Sequence, residues 1–384
     1  MRSVSPTRRG RRASTQPETD ESEIILTLVA SGLMRLTSWT GPQDSRQPYP
    51  SVMQQGLDRL TWWCMQQGLE PPASVAGLVA RWCPRPLVEW GLELDDGALG
   101  DGDRLIIDRE LTETCRDWAV ASPDVVGELL ESRFMLEVRS TCRGMGARGQ
   151  ELYVALRGLL VEAPLLTGPG LLRHKNRFPD LAVWARWLAE AYVPVNAADA
   201  PSGEVASCSR CRQVMRPSAS SWVCATPRCR ALSRPPRPRV QPAKGTVRLR
   251  AELVAYVSLP GRAEADLAAA LEKLGARVVW WPDIDAYDLL VIWPDGQRWA
   301  IDVKDWKTAY LLARHLTALP VYPPGHEYAY DAGYIVIPAD RTRRQRNYLR
   351  VLRSNSSALT KDSGLRAFTD KDLLAMAVEV GRGA

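Results

Sequence analysis

Asp288, Asp302 and Lys304 are the residues whose types and spacing best suit chemistry. They lie within Trp280 to Trp306, WWPDIDAYDLLVIWPDGQRWAIDVKDW. Leu289 to Trp293 is a short apolar run of the kind a buried strand needs, and Asp288 stands at its mouth. Pro294-Asp295-Gly296-Gln297 is turn chemistry, since Pro presets φ while Asp and Gly tolerate the bend. Arg298 to Lys304 then alternates as a second strand, so Asp302 and Lys304 point the same way. Two carboxylates and an ammonium on one face suit metal-assisted phosphodiester hydrolysis. Hard oxygen ligands hold Mg²⁺ and leave positions for water and phosphate. A D-x-K on a strand edge is also, commonly, a solvated ion pair. Two features weigh against that reading here. Lysine is scarce, seven residues against 43 arginines. Ile301 and Val303 also make the strand half buried, so its polar face should line something.

Positioning these groups takes a set of elements that the hydrophobic pattern supplies in order. It predicts a helix over 262–274, strands over 277–281, 288–293 and 298–304, a helix over about 306–318, a strand over 333–337 and a helix over 341–353. The succession is αβββαβα. With the acid–acid–lysine spacing, it resembles the PD-(D/E)xK nuclease superfamily, which has a restriction-endonuclease-like fold. The resemblance implies that Asp288 and Asp302 hold Mg²⁺ or Mn²⁺, with the Val303 carbonyl a further ligand. It makes Lys304 the catalytic lysine. Glu264, on the preceding helix, stands where the family often places another acid. The literal Pro282-Asp283 pair and nearby Asp285 compete for the role of first ligand. Asp288 is preferred because the apolar strand begins immediately after it.

A second constellation is made of cysteines. Cys208-Ser209-Arg210-Cys211 and Cys224-Ala225-Thr226-Pro227-Arg228-Cys229 give C-x₂-C, twelve residues, then C-x₄-C. Four thiolates so spaced suit tetrahedral Zn²⁺. The arrangement resembles a zinc ribbon, with residues 212–223 forming two short strands and Trp222 and Val223 covering the metal. Four thiolates close the coordination shell, so this zinc is structural. Val205 to Ala251 contains no Asp or Glu, yet has ten Arg and one Lys. Arg234, Arg237 and Arg239 lie in its Pro-rich stretch, read as an extended linker over 233–245. A segment of one sign beside a ribbon fits backbone contact with nucleic acid; the plainer reading is a solubilising spacer. Arg343, Arg346, Arg350 and Arg353 recur at helical spacing and would share one face of the helix over 341–353, where they could track phosphates.

The rest of the chain is organised around these two centres. Residues 1–20 carry Arg8, Arg9, Arg11 and Arg12 among Ser, Thr, Pro and Gly, a composition that predicts a disordered basic tail. Residues 21–200 read as an all-α domain, with amphipathic segments at 21–39, 51–67, 73–82, 123–138, 149–161 and 179–192. Asp20 and Glu23 form a capping box for the first. Its Trp residues sit on apolar faces and read as core. Cys64, Cys83, Cys115 and Cys142 lack ligand spacing and read as small buried hydrophobes. His174, His315 and His326 are isolated. No run of eighteen apolar residues and no hydrophobic leader occur. Cysteine usage fits reduced thiols or metal ligands. A cytoplasmic protein with no membrane segment is expected.

The expected architecture is therefore an all-α N-terminal domain over 21–200, a zinc ribbon over 205–232, the linker, and an α/β restriction-endonuclease-like domain over 246–384. In that order it resembles the endonuclease-like subunit encoded beside PIWI-RE Argonaute-like proteins and a helicase in three-gene bacterial defence islands. The resemblance implies DNA, an Argonaute-like protein and a helicase as partners, with a homodimer left open. The rival reading is a non-catalytic nucleic-acid-binding adaptor; a third is a purely protein-binding subunit.

Overall fold

The computed structural model describes residues 21–37, 48–120, 133–218, 221–230 and 232–383. The basic tail, Asp20 of the capping box, residues 38–39 of the segment expected at 21–39 and residues 123–132 of the helix expected at 123–138 lie outside the described residues.

The N-terminal part is mainly helical. It begins with α1 (Glu21–Leu36), α2 (Ser51–Gln66) and α3 (Val75–Gly77), which runs into a π-helical turn over Leu78–Trp82. A small ribbon of β1 (Ile106–Ile107) and β2 (Glu110–Leu111) precedes α4 (Glu113–Val120). One core gathers here around Ile25, Val29, Leu60, Trp90 and Trp118, and it also takes in Tyr310 and Leu311 from far along the chain. Gly32 lets α2 approach α1, because a side chain there would run into Met53.

Next come α5 (Arg133–Arg143), α6 (Ala147–Glu162), β3 (Leu165–Thr167), α7 (Gly168–Lys175), α8 (Ala182–Ala191) and β4 (Tyr192–Pro194). A second core unites Tyr153, Leu156, Leu160, Trp184 and Trp187 with Leu253, Val257 and Trp281. The span expected to be helical throughout thus contains strands. β3 and β4 flank β9 (Thr246–Leu249) in a three-stranded antiparallel sheet that ties residues 165–194 to the C-terminal part.

Between β4 and β9 lies the cysteine unit: β5 (Glu204–Cys208), β6 (Met215–Ser218), β7 (Ser221–Cys224), α9 (Pro227–Arg230) and β8 (Pro238–Pro242). β6 and β7 form the expected hairpin. The stretch read as a free linker is different: β8 pairs antiparallel with β5, from Cys208↔Pro238 to Glu204↔Pro242. Its prolines cost little there, because only one edge of β8 is paired.

The C-terminal part runs α10 (Ala251–Leu253), α11 (Leu259–Lys273), β10 (Arg277–Trp280), α12 (Pro282–Asp285), β11 (Leu289–Ile292), β12 (Arg298–Val303), α13 (Ala309–His315), β13 (Ala332–Ile337), α14 (Ala339–Arg344), α15 (Tyr348–Asn355), β14 (Leu365–Thr369) and α16 (Asp370–Gly383). Its sheet has the order β10-β11-β12-β13-β14; β10, β11 and β12 pair antiparallel in turn, and β13 and β14 run parallel to β12. Alternation along the strands sends Leu289, Val291, Ile301 and Val303 towards α11 and α16. Leu290, Ala300, Ile335 and Ile337 face α13 and α15.

The single helix expected at 341–353 is two. α14 stops where Gln345 turns to extended backbone, and α15 begins at Tyr348, whose buried hydroxyl donates to the Trp306 carbonyl at 2.9 Å. Arg343, Arg346, Arg350 and Arg353 are exposed, but the break denies them a common helix face.

Candidate functional site

Asp288 and Asp302 meet because of strand register. β11 and β12 pair Leu289 with Ile301, so the next step along the antiparallel ladder sets Asp288 opposite Asp302. Asp288 is buried, and its Oδ2 accepts the Val303 backbone N–H at 2.7 Å. Lys304 continues the line of β12, donating its backbone N–H to Val336 O at 2.9 Å, and its Nζ lies 2.8 Å from Asp302 Oδ1. Among the three acids weighed for the first position, Asp288 is the one tied to β12. Asp283 instead accepts from the Tyr322 hydroxyl at 2.9 Å, and Asp285 faces α5 and α6.

Glu264 reaches the same cleft from α11, and both of its oxygens are engaged. Oε1 accepts from Arg157 at 2.8 Å and Oε2 from the Trp281 indole N–H at 2.6 Å. Arg157 is a residue that sequence reasoning missed. It sits on α6 four positions after buried Tyr153 and four before buried Val161, a lone cation on an apolar stripe, and that was its available signal. A close approach of α6 and α11 brings it in, because Gly261 lies against Val161 with no room for a Cβ. Arg157 also pairs with Asp285, lies 3.4 Å from Asp288 Oδ1, and stacks with its guanidinium 4.8 Å from the Trp281 ring centre. The turn that presents these partners is strained: Trp281, Asp283, Ile284 and Asp285 all have positive φ.

The electrostatics follow from burial. Asp288 is pushed well above the usual carboxylate range by burial first, then by neighbouring Glu264 and Asp302. Glu264 is raised by burial, against the pull of Arg157. Burial alone would lower Lys304, but Asp302 and Asp288 outweigh it and hold the ammonium charged. Arg157 stays charged in the same way, through Asp285 and Glu264. The four sequence-predicted site residues line one cleft of about 490 Å³, together with Arg116, Arg139 and Arg157 of the helical part and Arg210 and Arg228 of the cysteine unit.

The four cysteines converge as expected. All are buried, and their sulfurs lie within 4.8 Å of one another. Cys211 and Cys224 sulfurs are 3.4 Å apart, and those of Cys208 and Cys229 are 3.9 Å apart. A tetrahedral ion with metal–sulfur bonds of 2.3 Å has sulfur–sulfur edges of about 3.8 Å. The set could therefore hold a metal such as zinc. Trp222 packs on the cluster, whereas Val223, expected to cover it too, is exposed. Arg234, Arg237 and Arg239 are exposed and do not line the cleft. Cys64, Cys83, Cys115 and Cys142 are buried in the two helical cores, away from the cysteine cluster.

Two family models match. Residues 261–384 match "REase associating with pPIWI_RE", and residues 25–167 match "pPIWI_RE three-gene island domain Y". Both matches support a place in a pPIWI_RE three-gene island. No curated protein and no solved structure matches the chain. Arg157 falls within the domain Y match, and Glu264, Asp288, Asp302 and Lys304 within the REase match. One cleft therefore draws on both. Among the described residues, no helix is long and apolar enough to cross a membrane.

Proposed function

We propose that this subunit is a metal-dependent DNA endonuclease of the PD-(D/E)xK type, acting in a pPIWI_RE defence island beside an Argonaute-like protein and a helicase. The observation that carries the reading is the placement of Asp288 opposite Asp302, with Lys304 at the same strand end, on the wall of a cleft rich in arginine.

The donor set fits Mg²⁺ or Mn²⁺. Asp288 Oδ1 and Asp302 Oδ2 are hard oxygens, and Mg²⁺ typically takes one or two carboxylates with water and phosphate completing the shell. When bound, the ion supplies Lewis-acid activation of water and neutralises charge on the phosphate. Asp288 would hold it from a position locked by the Val303 N–H, and Asp302 from the facing strand, with the Val303 carbonyl as a further ligand. Lys304, held charged beside Asp302, orients the attacking water or the reacting phosphate oxygen. Glu264 acts through Arg157 and Trp281, which take both its oxygens. The cysteine unit is read as a structural zinc ribbon.

The adaptor reading has one observation in its favour. Arg157 already places a cation among Glu264, Asp285 and Asp288. A cleavage assay with Mg²⁺ or Mn²⁺ on single- and double-stranded DNA, alone and with the partner proteins, separates the two. Cutting that disappears in Lys304→Ala establishes the nuclease. Salt-sensitive DNA binding without cutting under any condition establishes the adaptor.

A further inference from the structure

Arg157 stands between two of the acids in the cleft. Its Nη2 lies 2.8 Å from Glu264 Oε1 and 3.4 Å from Asp288 Oδ1, so one nitrogen fills the gap that separates them. Nη1 pairs with Asp285, whose other oxygen accepts from the Tyr153 hydroxyl at 2.8 Å. A Mg²⁺ joining Glu264 to Asp288 would need an oxygen of each at about 2.1 Å. It would have to sit in the gap that Nη2 fills.

The guanidinium is braced where it stands. Its carbon lies 4.8 Å from the Trp281 ring centre, and the Trp281 indole N–H donates to Glu264 Oε2 at 2.6 Å, so ring, acid and cation support one another. The backbone behind it is held too, because Gly261 of α11 lies directly against Val161, one turn after Arg157 on α6. Charge agrees with geometry. Ion pairs link Arg139, Arg157 and Lys304 to Glu264, Asp285, Asp288 and Asp302. With all of these ionised, four carboxylates face three cations and one negative charge is left over. One divalent ion and one phosphodiester bring the set to neutrality. A second ion would leave it two charges positive in a buried place, where uncompensated charge is costly.

We propose that the cleft takes a single divalent ion, between Asp288 Oδ1 and Asp302, and that the Arg157 guanidinium serves as a fixed second cation. This rests on the nuclease reading, which supplies the ligands of that one ion. In a two-ion site the ions lie about 3.5–4 Å apart and share the charge on the attacking and leaving oxygens. Arg157 puts a permanent charge at one of those places, since a guanidinium does not give up its proton. Arg157 falls in the domain Y match and the ligands of the ion in the REase match, so the first stretch lends its cation to the second.

The test is Mn²⁺ binding to the full chain, dialysed free of loosely held ions, followed by calorimetry and electron paramagnetic resonance. Wild type should bind one Mn²⁺ in the cleft, with the spectrum of an isolated ion, and Asp288→Asn should weaken it. Arg157→Gln should take two, with the spin coupling of ions about 3.5–4 Å apart. Arg157→Lys, which keeps a cation in place, should stay at one. A coupled pair in wild type, or a folded Arg157→Gln that stays at one ion, would overturn the proposal. Should Arg157→Gln not fold, wild type titrated to saturation still decides, one isolated ion supporting the proposal and a coupled pair sinking it. A coupled pair in wild type leaves the nuclease reading standing. One isolated ion without cleavage under any condition sinks that reading and leaves the single-ion site, whereas no Mn²⁺ bound by any of these proteins removes both.

Discussion

Arg157 and Glu264, 107 positions apart in the chain, lie 2.8 Å from each other at the wall of the acid-bearing cleft. A cation from the helical part therefore balances acids of the α/β part in a buried place. Removing one partner of a buried ion pair costs about 3–5 kcal/mol, because the other charge is left uncompensated. Arg157→Ala should be destabilised by about that amount in urea titrations. The deficit should shrink as pH falls and the stranded acids protonate. Mg²⁺ should recover more of the loss in the variant than it adds to wild type. A variant as stable as wild type would mean that the pair does not form.

Asp288→Asn gives a cleaner probe of metal holding. The amide oxygen can still accept the Val303 N–H, so the strand ends stay in register. With one ligand charge gone, Mn²⁺ affinity by calorimetry should fall by at least roughly tenfold, while melting temperature stays near that of wild type. Undiminished Mn²⁺ binding would remove Asp288 from the ligand set.

The cysteine cluster predicts about one zinc per chain by elemental analysis. Cys229→Ser should lose it, and protease sensitivity should rise within residues 204–242 first. Zinc retained at wild-type level in the variant would contradict four-sulfur coordination.

Asp117 lines the cleft, and its carboxylate accepts the Thr308 N–H at 2.8 Å. Burial raises it to about 7. A carboxyl whose folded value is raised contributes stability that is full below its unfolded value near 3.8 and declines as pH rises to about 7. Asp117→Asn cannot lose a proton, so relative to wild type it should gain stability between pH 5 and pH 8. Parallel melting curves for the two proteins across that range would contradict the raised value.

Much of the α/β part is legible in sequence because its strands are short apolar runs bounded by turn residues. β11 and β12 lie within two residues of their expected bounds, and Asp288, Asp302 and Lys304 follow from them. The cysteines are legible because four ligands crowd into twenty-two positions. What is not legible is set by distant partners. β3 and β4 are three residues each, too short for a period, and exist because β9 pairs with both. β8 reads as a spacer because prolines hide the strand that β5 recruits. Arg157 looks like one arginine among many until the fold sets it against Glu264. Glu23 accepts from the Tyr310 hydroxyl at 2.9 Å, a contact 287 positions away that no local pattern announces. The arginine run after β13 suggests one helix, yet burial of Tyr348 splits it.

The sheet joining β4 to β9 has a consequence for how such a chain is assembled. Pro194 pairs with Val247, and the Val195 N–H donates to Thr246 O at 3.3 Å, so the two ends of the cysteine unit leave the sheet side by side. The unit is topologically the tip of a hairpin. A chain in which a tight turn joins residues 195 and 246 would keep the residues of both flanking cores and lose the cysteine unit with its Arg228 pairs to Asp305 and Asp340. The cysteine-bearing piece is thus an insertion between two strands of one sheet, and the backbone of the scaffold that carries the acids does not run through it.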